Sequence, residues 1–212
     1  MLNPLTKAFD QAVIDLTCPG ELFAVDQVEV GGIQYRNFAT LPANLGAYFD
    51  FMLGHGERDF LVYEGKRYSF LETYRLAASL ATSLKKDFGI RSGDRVAIYS
   101  RNNPEWIISF ISIAYVGAVS VPLNAWWTFE ELDYGVADSG CSVIFVDQER
   151  VDVAMAVAKR NKVQVIPFKS LSDRAEKSFW QIMSSRKGAD MPKVEAASDD
   201  PATIFYTSGS TG

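Results

Sequence analysis

The chain has 212 residues, of which 48% are apolar and 22% charged, values typical of a globular protein that exclude a disordered or fibrous chain. Its formal net charge of −5, without a Lys/Arg cluster longer than two residues, argues against nucleic acid as a main partner. Cys18 and Cys141 are far apart and His55 is the one histidine, so no thiolate or imidazole metal site is predicted. This cysteine content suits a reducing cytoplasm, and peripheral attachment to a membrane stays open.

Residues 1–45 are expected to form an irregular N-terminal segment with a single hairpin. The stretch VEVGGIQYRNF has short β-branched or aromatic runs on either side of Gly31 and Gly32, which predicts a tight turn between two strands. Before it, MLNPLTKAFDQAVIDL is interrupted by three charged residues and is therefore not a signal peptide.

The next segment carries signals for a helix, a hairpin and a second helix. The first helix is predicted over residues 45–53, and DFLVYEGKRYSF predicts a hairpin that turns at its Glu-Gly pair. Ser69 and Glu72 form an S-x-x-E capping box, in which each side chain can bind the backbone N–H of the other. Apolar residues then recur every three or four positions, as on the buried face of an amphipathic helix.

Strands and helices alternate from there, and we predict one α/β subdomain over residues 46–186. The strands are short, apolar and β-branched, as expected when helices cover both faces of a parallel sheet. Repeated β-α-β units predict a doubly wound, mainly parallel sheet flanked by helices. Trp126 and Trp127 are interpreted as core or domain-edge packing, with an acyl- or partner-binding surface as the alternative. Thr128 with Glu131 is a further capping box. The predicted strands cover residues 95–100, 118–123, 141–147 and 163–168, and the predicted helices cover 104–116, 128–137, 150–160 and 171–185.

The uncharged stretch between residues 106 and 129 is long enough to resemble a membrane span. Helix boundary signals argue against a membrane span: Asn103 and Pro104 are start signals for a helix, and Gly117 is a stop signal. A helix of about 13 residues is roughly 20 Å long, shorter than the roughly 30 Å hydrocarbon core. We therefore predict a buried helix followed by a buried strand.

The alternation of strands and helices ends in the C-terminal part of the chain. Charged and small residues with a proline predict a linker over 187–201, and ATIFY predicts one more strand over 202–206. Residues 202–212 are expected to start a second subdomain, which stops inside a loop of hydroxyls and glycines. We expect the chain to be a fragment of a longer protein, because a natural C-terminus is usually a solvated tail or a docked helix.

That loop, TSGSTG, has the composition of a phosphate-binding loop. Glycines let the backbone turn close to a ligand, successive N–H groups hold an anion, and hydroxyls donate to phosphate oxygens. Behind a strand, it lies where open α/β sheets bind their ligands. Spacing alone leaves alternatives open: a bare loop of a non-catalytic α/β binding module, or a P-loop NTPase in which Gly209 begins G-x-x-x-x-G-K-[ST] and a lysine stands at position 215.

With its flanks, DPATIFYTSGSTG resembles the signature of the adenylate-forming superfamily, which contains acyl-CoA synthetases, firefly-type luciferases and peptide-synthetase adenylation domains. The match runs from Tyr206 to Gly212, where the family continues with x-Pro-Lys-Gly. Residues 93–147 resemble the acyl-CoA synthetase branch, and the whole resemblance covers about residues 38–212. Within that branch, we expect a long- or medium-chain fatty-acid–CoA ligase. The positions that carry it upstream are Gly93, Asp94, Arg95, Val96, Asn103, Glu105, Trp106, Gly117, Ala118, Pro122, Leu123, Asn124, Asp138, Ser139 and Gly140.

The resemblance implies the N-terminal part of the large domain of an enzyme that activates a fatty or related carboxylic acid with ATP to an acyl-adenylate and transfers it to coenzyme A. It implies ATP, Mg²⁺ and coenzyme A as cofactors and leaves a homodimer open. The residues implied to cradle the β- and γ-phosphates are Thr207, Ser208, Gly209, Ser210, Thr211 and Gly212. No catalytic or metal residue is assigned, because the family's adenine, ribose, metal and C-terminal lysine sites lie beyond Gly212, and the fragment itself is predicted to be inactive. An alternative within the superfamily is adenylation of an amino or aryl acid for a carrier protein.

Overall fold

We describe the chain from a computed structural model, which covers residues 3–169, 177–194 and 196–207. It divides into two units, Met1–Ala43 and Asn44–Gly212, each of which is considered by itself.

The first unit begins with a helix, α1 (Pro4–Thr17), so the expectation that residues 1–45 are irregular is wrong there. The helix has ordinary start signals: the side chain of Asn3 accepts a hydrogen bond from Leu5 N at 3.1 Å, and a proline follows in the first turn. Its apolar residues also recur every three or four positions, at Leu5, Phe9, Val13 and Leu16. The cap and this spacing were the signals that the expectation did not use.

The hairpin predicted in the first unit is confirmed. β1 (Val25–Val30) and β2 (Ile33–Phe38) pair antiparallel from end to end. Gly31 and Gly32 make the turn with φ values of 58° and 81°, a region that glycine enters without steric cost.

The second unit opens with two short helices, α2 (Leu45–Phe49) and α3 (Met52–His55). The prediction of one continuous helix over 45–53 is therefore wrong. The backbone N–H groups of residues 50, 51, 53 and 54 donate to carbonyls three positions earlier, so the chain tightens there instead of continuing the α-helical ladder.

A hairpin and a long helix follow as predicted. β3 (Asp59–Tyr63) and β4 (Lys66–Ser69) pair antiparallel around the Glu-Gly turn. Ser69 is the N-cap of α4 (Phe70–Lys86): its Oγ accepts a hydrogen bond from Glu72 N at 3.0 Å. This is one half of the predicted capping box, and the return bond from the Glu72 side chain is not made.

The rest of the second unit is built around a four-stranded parallel sheet, which confirms the predicted α/β fold class. Its strands and connecting helices are β5 (Arg95–Tyr99), α5 (Pro104–Val116), β6 (Val119–Leu123), α6 (Phe129–Ser139), β7 (Val143–Val146), α7 (Val151–Asn161) and β8 (Gln164–Pro167). The strand order in space is β6-β5-β7-β8, so the chain adds β6 on one side of β5 and then crosses to the other side. The sheet therefore has a topological switch point between β5 and β7.

The helix boundaries in this sheet follow the sequence signals closely. Asn103 Oδ1 accepts a hydrogen bond from Trp106 N at 2.8 Å to start α5, and Gly117 ends it with φ of 75°. Thr128 and Glu131 form the predicted capping box at the start of α6. Across the described residues, every helix is too short or too polar to traverse a bilayer.

Alternate residues of the strands face opposite sides of the sheet, and each side has its own apolar cluster. Val96, Ile98 and Phe145 lie with α4 and α5 on one side. Ala97 and Ile144 lie with α6 and α7 on the other side. All five side chains are fully buried, so the sheet is the centre of the core.

The last helix, α8 (Phe179–Ser185), is shorter than predicted. Lys177 and Ser178 are not helical, so the predicted helix over 171–185 is wrong at its start; residues 170–176 lie outside the described part. Ser178 is the N-cap: its N–H donates to Gln181 Oε1 at 2.8 Å in a capping box.

The segment predicted as a linker, 187–201, has no helix or strand among its described residues. It nevertheless lies against the second unit. Thr82 Oγ1 donates to Asp190 O at 3.3 Å, and Asn44 Nδ2 donates to Ala196 O at 3.0 Å. The segment is thus held by side chains of the second unit at two separate points.

Candidate functional site

The segment that leads to the TSGSTG loop lies along the free edge of β6. Ser120 N donates to Ala202 O at 3.0 Å, Ile204 N donates to Ser120 O at 2.9 Å, and Ser120 and Thr203 form a parallel bridge. The predicted strand over 202–206 is present as this single bridge. Its described part joins the edge of the existing sheet, and the start of a second subdomain at residue 202 stays a prediction.

The direction of this bridge determines where the loop starts. Because it is parallel, the segment points the same way as β5–β8, and Thr207 follows at the carboxyl edge of the sheet, exposed to solvent. Thr207 is the one predicted phosphate-binding residue within the described part of the chain. The others, Ser208, Gly209, Ser210, Thr211 and Gly212, lie outside it.

Tyr206, immediately before the loop, is held by α6. Its hydroxyl donates to Asp138 Oδ2 at 2.7 Å and lies 3.4 Å from Gly135 O. Its ring meets Trp127 and Tyr134 edge to face, with centroids 5.5 and 6.4 Å away. Burial, and then the hydrogen bond to Asp138, raise the pKa of Tyr206 to about 12, so the hydroxyl keeps its proton at neutral pH.

Trp127 forms the base of this arrangement, as its interpretation as a packing residue predicted. A Cβ on Gly135 would lie 2.6 Å from the indole ring, so the ring packs directly on the backbone of α6. Tyr99 Oη donates to Trp127 O at 2.8 Å and ties the same residue to β5.

The C-terminal end of α6 is fixed by an arginine from β5. Arg95 Nε donates to Ser139 O at 2.9 Å, and Arg95 Nη2 donates to Gly140 O at 2.7 Å. These carbonyls belong to the end of the helix, where a cation is favourable. Two separate stretches that carried the family resemblance thus contact each other beside Tyr206.

The switch point holds a buried ion pair that the sequence reasoning missed. Arg150 Nη1 donates to both carboxylate oxygens of Asp147 at 2.7 and 2.9 Å, and Asp147 Oδ2 also accepts from Arg101 N at 2.9 Å. Burial acts to lower the pKa of Arg150, but the hydrogen bonds and charge of Asp147 outweigh it and raise that pKa. The signal was available, since Arg101 and Asp147 lie within two residues of the ends of β5 and β7.

Trp126 differs from its neighbour Trp127, because it lies on the surface with 73% of its area exposed. The guanidinium carbons of Arg101 and Arg150 lie 5.1 and 5.7 Å from its ring centroid, within cation–π distance. The prediction of a packing role is therefore wrong for Trp126, which pairs with two cations at the carboxyl edge.

Beside this edge, a cavity of about 660 Å³ opens between the switch point and the β3–β4 hairpin. Its lining mixes aromatic and charged side chains, including Tyr63, Tyr68, Arg101, Glu105 and Glu149. Within the described ranges, no three His, Cys, Asp or Glu side chains converge as a metal site would require.

A comparison with protein families finds a match to the family described as AMP-binding enzyme over residues 50–212. The matched region includes the α/β sheet, the Tyr206 contacts and the whole TSGSTG loop.

Two curated relatives differ in the acids that they activate. The chain is 34% identical over 148 residues to a feruloyl-CoA synthase of Amycolatopsis, covering 70% of this chain and 27% of that protein. It is 33% identical over 124 residues to the long-chain-fatty-acid–CoA ligase FadD13 of Mycobacterium tuberculosis, covering 58% and 24%. The chain spans about a quarter of the length of these relatives.

A solved structure agrees with the fold. The N-terminal domain of FACL13 from Mycobacterium tuberculosis superposes with a TM-score of 0.70 at 28% identity. The superposition covers 81% of this chain and 42% of that one.

Proposed function

The chain belongs to the AMP-binding enzyme family, and from this premise we propose that it is the N-terminal part of an ATP-dependent, AMP-forming ligase that joins a carboxylic acid to coenzyme A. The family membership leaves no basis for the P-loop NTPase alternative. A non-catalytic module is also disfavoured, because the match extends through the complete TSGSTG loop.

The observation that carries the proposal is the course of the chain into that loop. Residues 202–204 pair with the outer edge of β6 in the parallel sense, and Thr207 follows at the carboxyl edge of the sheet. This is the edge at which open α/β sheets bind nucleotides and other ligands. Glycines and hydroxyls from Thr207 to Gly212 are suited to surround phosphate oxygens there.

The proposed reaction has two displacements. A carboxylate oxygen of the acid attacks the α-phosphorus of ATP, and the bond to pyrophosphate breaks to leave an acyl-adenylate. The sulfur of coenzyme A, losing its proton, then attacks the acyl carbon and AMP leaves. In the first step the loop would position the leaving phosphates and balance their charge, a role that needs no acid or base from this chain.

Mg²⁺ is implied by the family, but the described residues offer no cluster of ligands that fits it. A hard cation of this kind can be held largely by substrate phosphates and water. We therefore assign no residue of this chain to Mg²⁺ and derive no step through it.

For the acid, we propose a fatty acid or a related alkyl carboxylate. The resemblance of residues 93–147 to acyl-CoA synthetases and the similarity to FadD13 support this choice. An aryl acid is the second candidate, supported by the similarity to feruloyl-CoA synthase.

The test is an AMP-release assay on the polypeptide of the complete reading frame, with ATP, Mg²⁺ and coenzyme A. Acetate, octanoate, palmitate and ferulate would be compared at equal concentration. We expect the highest kcat/KM for a fatty acid. If ferulate is the best substrate, the acid is an aryl acid and the fatty-acid proposal is wrong. If no AMP is released with any of these acids, the ligase function is rejected.

Two further measurements test the role of Thr207 and the predicted inactivity of the fragment. Thr207→Val keeps the shape of the side chain and removes its hydroxyl, so we expect a higher KM for ATP, whereas Thr6→Val in the exposed helix α1 should leave it unchanged. The 212-residue chain alone should release no pyrophosphate from ATP and fatty acid. Release by this chain would contradict the prediction that it is inactive.

A further inference from the structure

We propose that Tyr206 and Asp138 form a positioning pair that fixes the start of the phosphate loop and thereby sets the affinity for ATP. The inference rests on the proposed function and deepens it, because it assigns a role in ATP binding to residues that precede the loop. Neither residue is a catalytic group.

The pair is the last contact before the loop. Upstream, Ile204 N is bonded to Ser120 O of β6, and two residues later the hydroxyl of Tyr206 is bonded to Asp138 of α6. The residue between them, Phe205, points outwards with 72% of its area exposed. Thr207 therefore follows a short segment that is attached to β6 at Ile204 and to α6 at Tyr206.

The ring of Tyr206 is also held by packing against Trp127. The indole of Trp127 contacts it and packs on Gly135, so the ring cannot move towards α6 without displacing a bulky side chain. The hydroxyl reaches the one carboxylate at this end of α6. Packing alone would let the ring slide along this surface, and the hydrogen bond to Asp138 selects one position.

The location of Asp138 is a second, independent argument. It occupies the last turn of α6, where the helix dipole disfavours an anion. Aspartate is also a poorer helix former than alanine. An aspartate at a position where it weakens its own helix needs another role. The hydrogen bond that its carboxylate accepts from the hydroxyl of Tyr206 provides that role.

These arguments predict that stability and nucleotide affinity respond in opposite directions. Asp138→Ala should leave the melting temperature of the full-length protein unchanged or raise it. The same variant should weaken ATP binding about three- to tenfold, because the freed start of the loop must then be ordered when ATP binds. Tyr206→Phe keeps the ring and removes only the hydroxyl, so it should weaken ATP binding to a similar extent and lower the melting temperature only slightly, since the ring keeps its packing.

The experiment uses the polypeptide of the complete reading frame and measures the Kd of ATP by calorimetry, together with KM for ATP and KM for the acid. The double variant should be no weaker than either single variant, because all three lack the same bond. Tyr134→Phe is the matched control: its ring also contacts Tyr206, and loss of its hydroxyl should leave the Kd unchanged.

The outcomes separate this inference from the proposed function. Wild-type affinity for ATP in Tyr206→Phe, or additive losses in the double variant, would overturn the positioning pair. A wild-type protein that binds ATP but activates no acid would reject the ligase function, while the Kd values would still test the pair. A wild-type protein that binds no ATP would overturn both.

Discussion

The two units of the chain differ in how their secondary structure is supported. Among residues 3–43 Ala24 is the one buried side chain. Helix α1 has no buried residue, and even its large apolar side chain Phe9 is 68% exposed. In the second unit both faces of the sheet are covered, and Phe145 and Ile144 are fully buried. The difference shows that caps, turns and spacing can define elements without forming a core. Such elements stay marginal until a further surface covers them.

The largest expected effect compares one phenylalanine in each unit. Phe145→Ala removes a fully buried ring and should lower the free energy of unfolding of the second unit by about 3–5 kcal/mol. Phe9→Ala should change it by less than about 0.5 kcal/mol, because the ring is exposed. Urea denaturation followed by circular dichroism measures both. Similar losses for the two variants would show that α1 has a covered face after all.

A smaller effect is expected from charged groups. Asp147→Ala leaves the buried guanidinium of Arg150 without its main partner and should cost about 3 kcal/mol of unfolding free energy. In the first unit, Glu29→Ala removes an exposed acceptor of Gln34 Nε2 and should cost less than about 0.5 kcal/mol. A small loss for Asp147→Ala in the same urea titration would contradict the assigned role of the ion pair.

Removing a helix cap should change the unfolding free energy by less than Phe145→Ala or Asp147→Ala, and by different amounts in the two units. Thr128→Ala removes the N-cap of α6 and should lower the unfolding free energy of the second unit by about 1 kcal/mol. Asn3→Ala removes the N-cap of α1 and should reduce only the local helix population, which amide hydrogen exchange of residues 5–17 measures. If Asn3→Ala shifted the main unfolding transition as much as Thr128→Ala, the two units would unfold together.

The smallest effect is a dependence on pH. The pKa of Tyr206 is raised to about 12 in the folded chain, above the roughly 10 of an unfolded tyrosine. Its contribution to stability is thus complete below pH 10 and is lost as the pH rises towards 12. Between pH 9 and pH 11.5 the unfolding free energy of wild type should fall further than that of Tyr206→Phe. Tyr35→Phe, which removes an exposed hydroxyl of β2, should behave as wild type.

Much of the fold could be predicted from the sequence because its signals are local. Asn103, Gly117 and the capping box of Thr128 and Glu131 mark helix ends through the backbone groups that they satisfy, and each was found where expected. The helix over 171–185 was placed wrongly at its start because the capping box of Ser178 and Gln181 was not used as a start signal. Likewise α1 was missed because its apolar spacing was not compared with a helical period.

The candidate site was harder to predict, because its contacts join distant parts of the chain. The TSGSTG motif indicated where a phosphate would bind, but no local pattern pairs Tyr206 with Asp138 or Arg95 with Ser139. Trp126 and Trp127 are neighbours with the same side chain, and no local sequence signal distinguishes them. One packs on α6 and the other lies under two guanidinium groups, which depends on the order of the strands in space.

The bridge between Ser120 and Thr203 joins residues more than eighty positions apart. A ribosome releases the N-terminal residues first, and domains begin to fold as they emerge. When Thr203 leaves the exit tunnel, β5 to β8 and their helices have already been synthesised. The segment around Thr203 therefore docks on a finished edge, and the proposed phosphate-binding loop follows only after the sheet has been made.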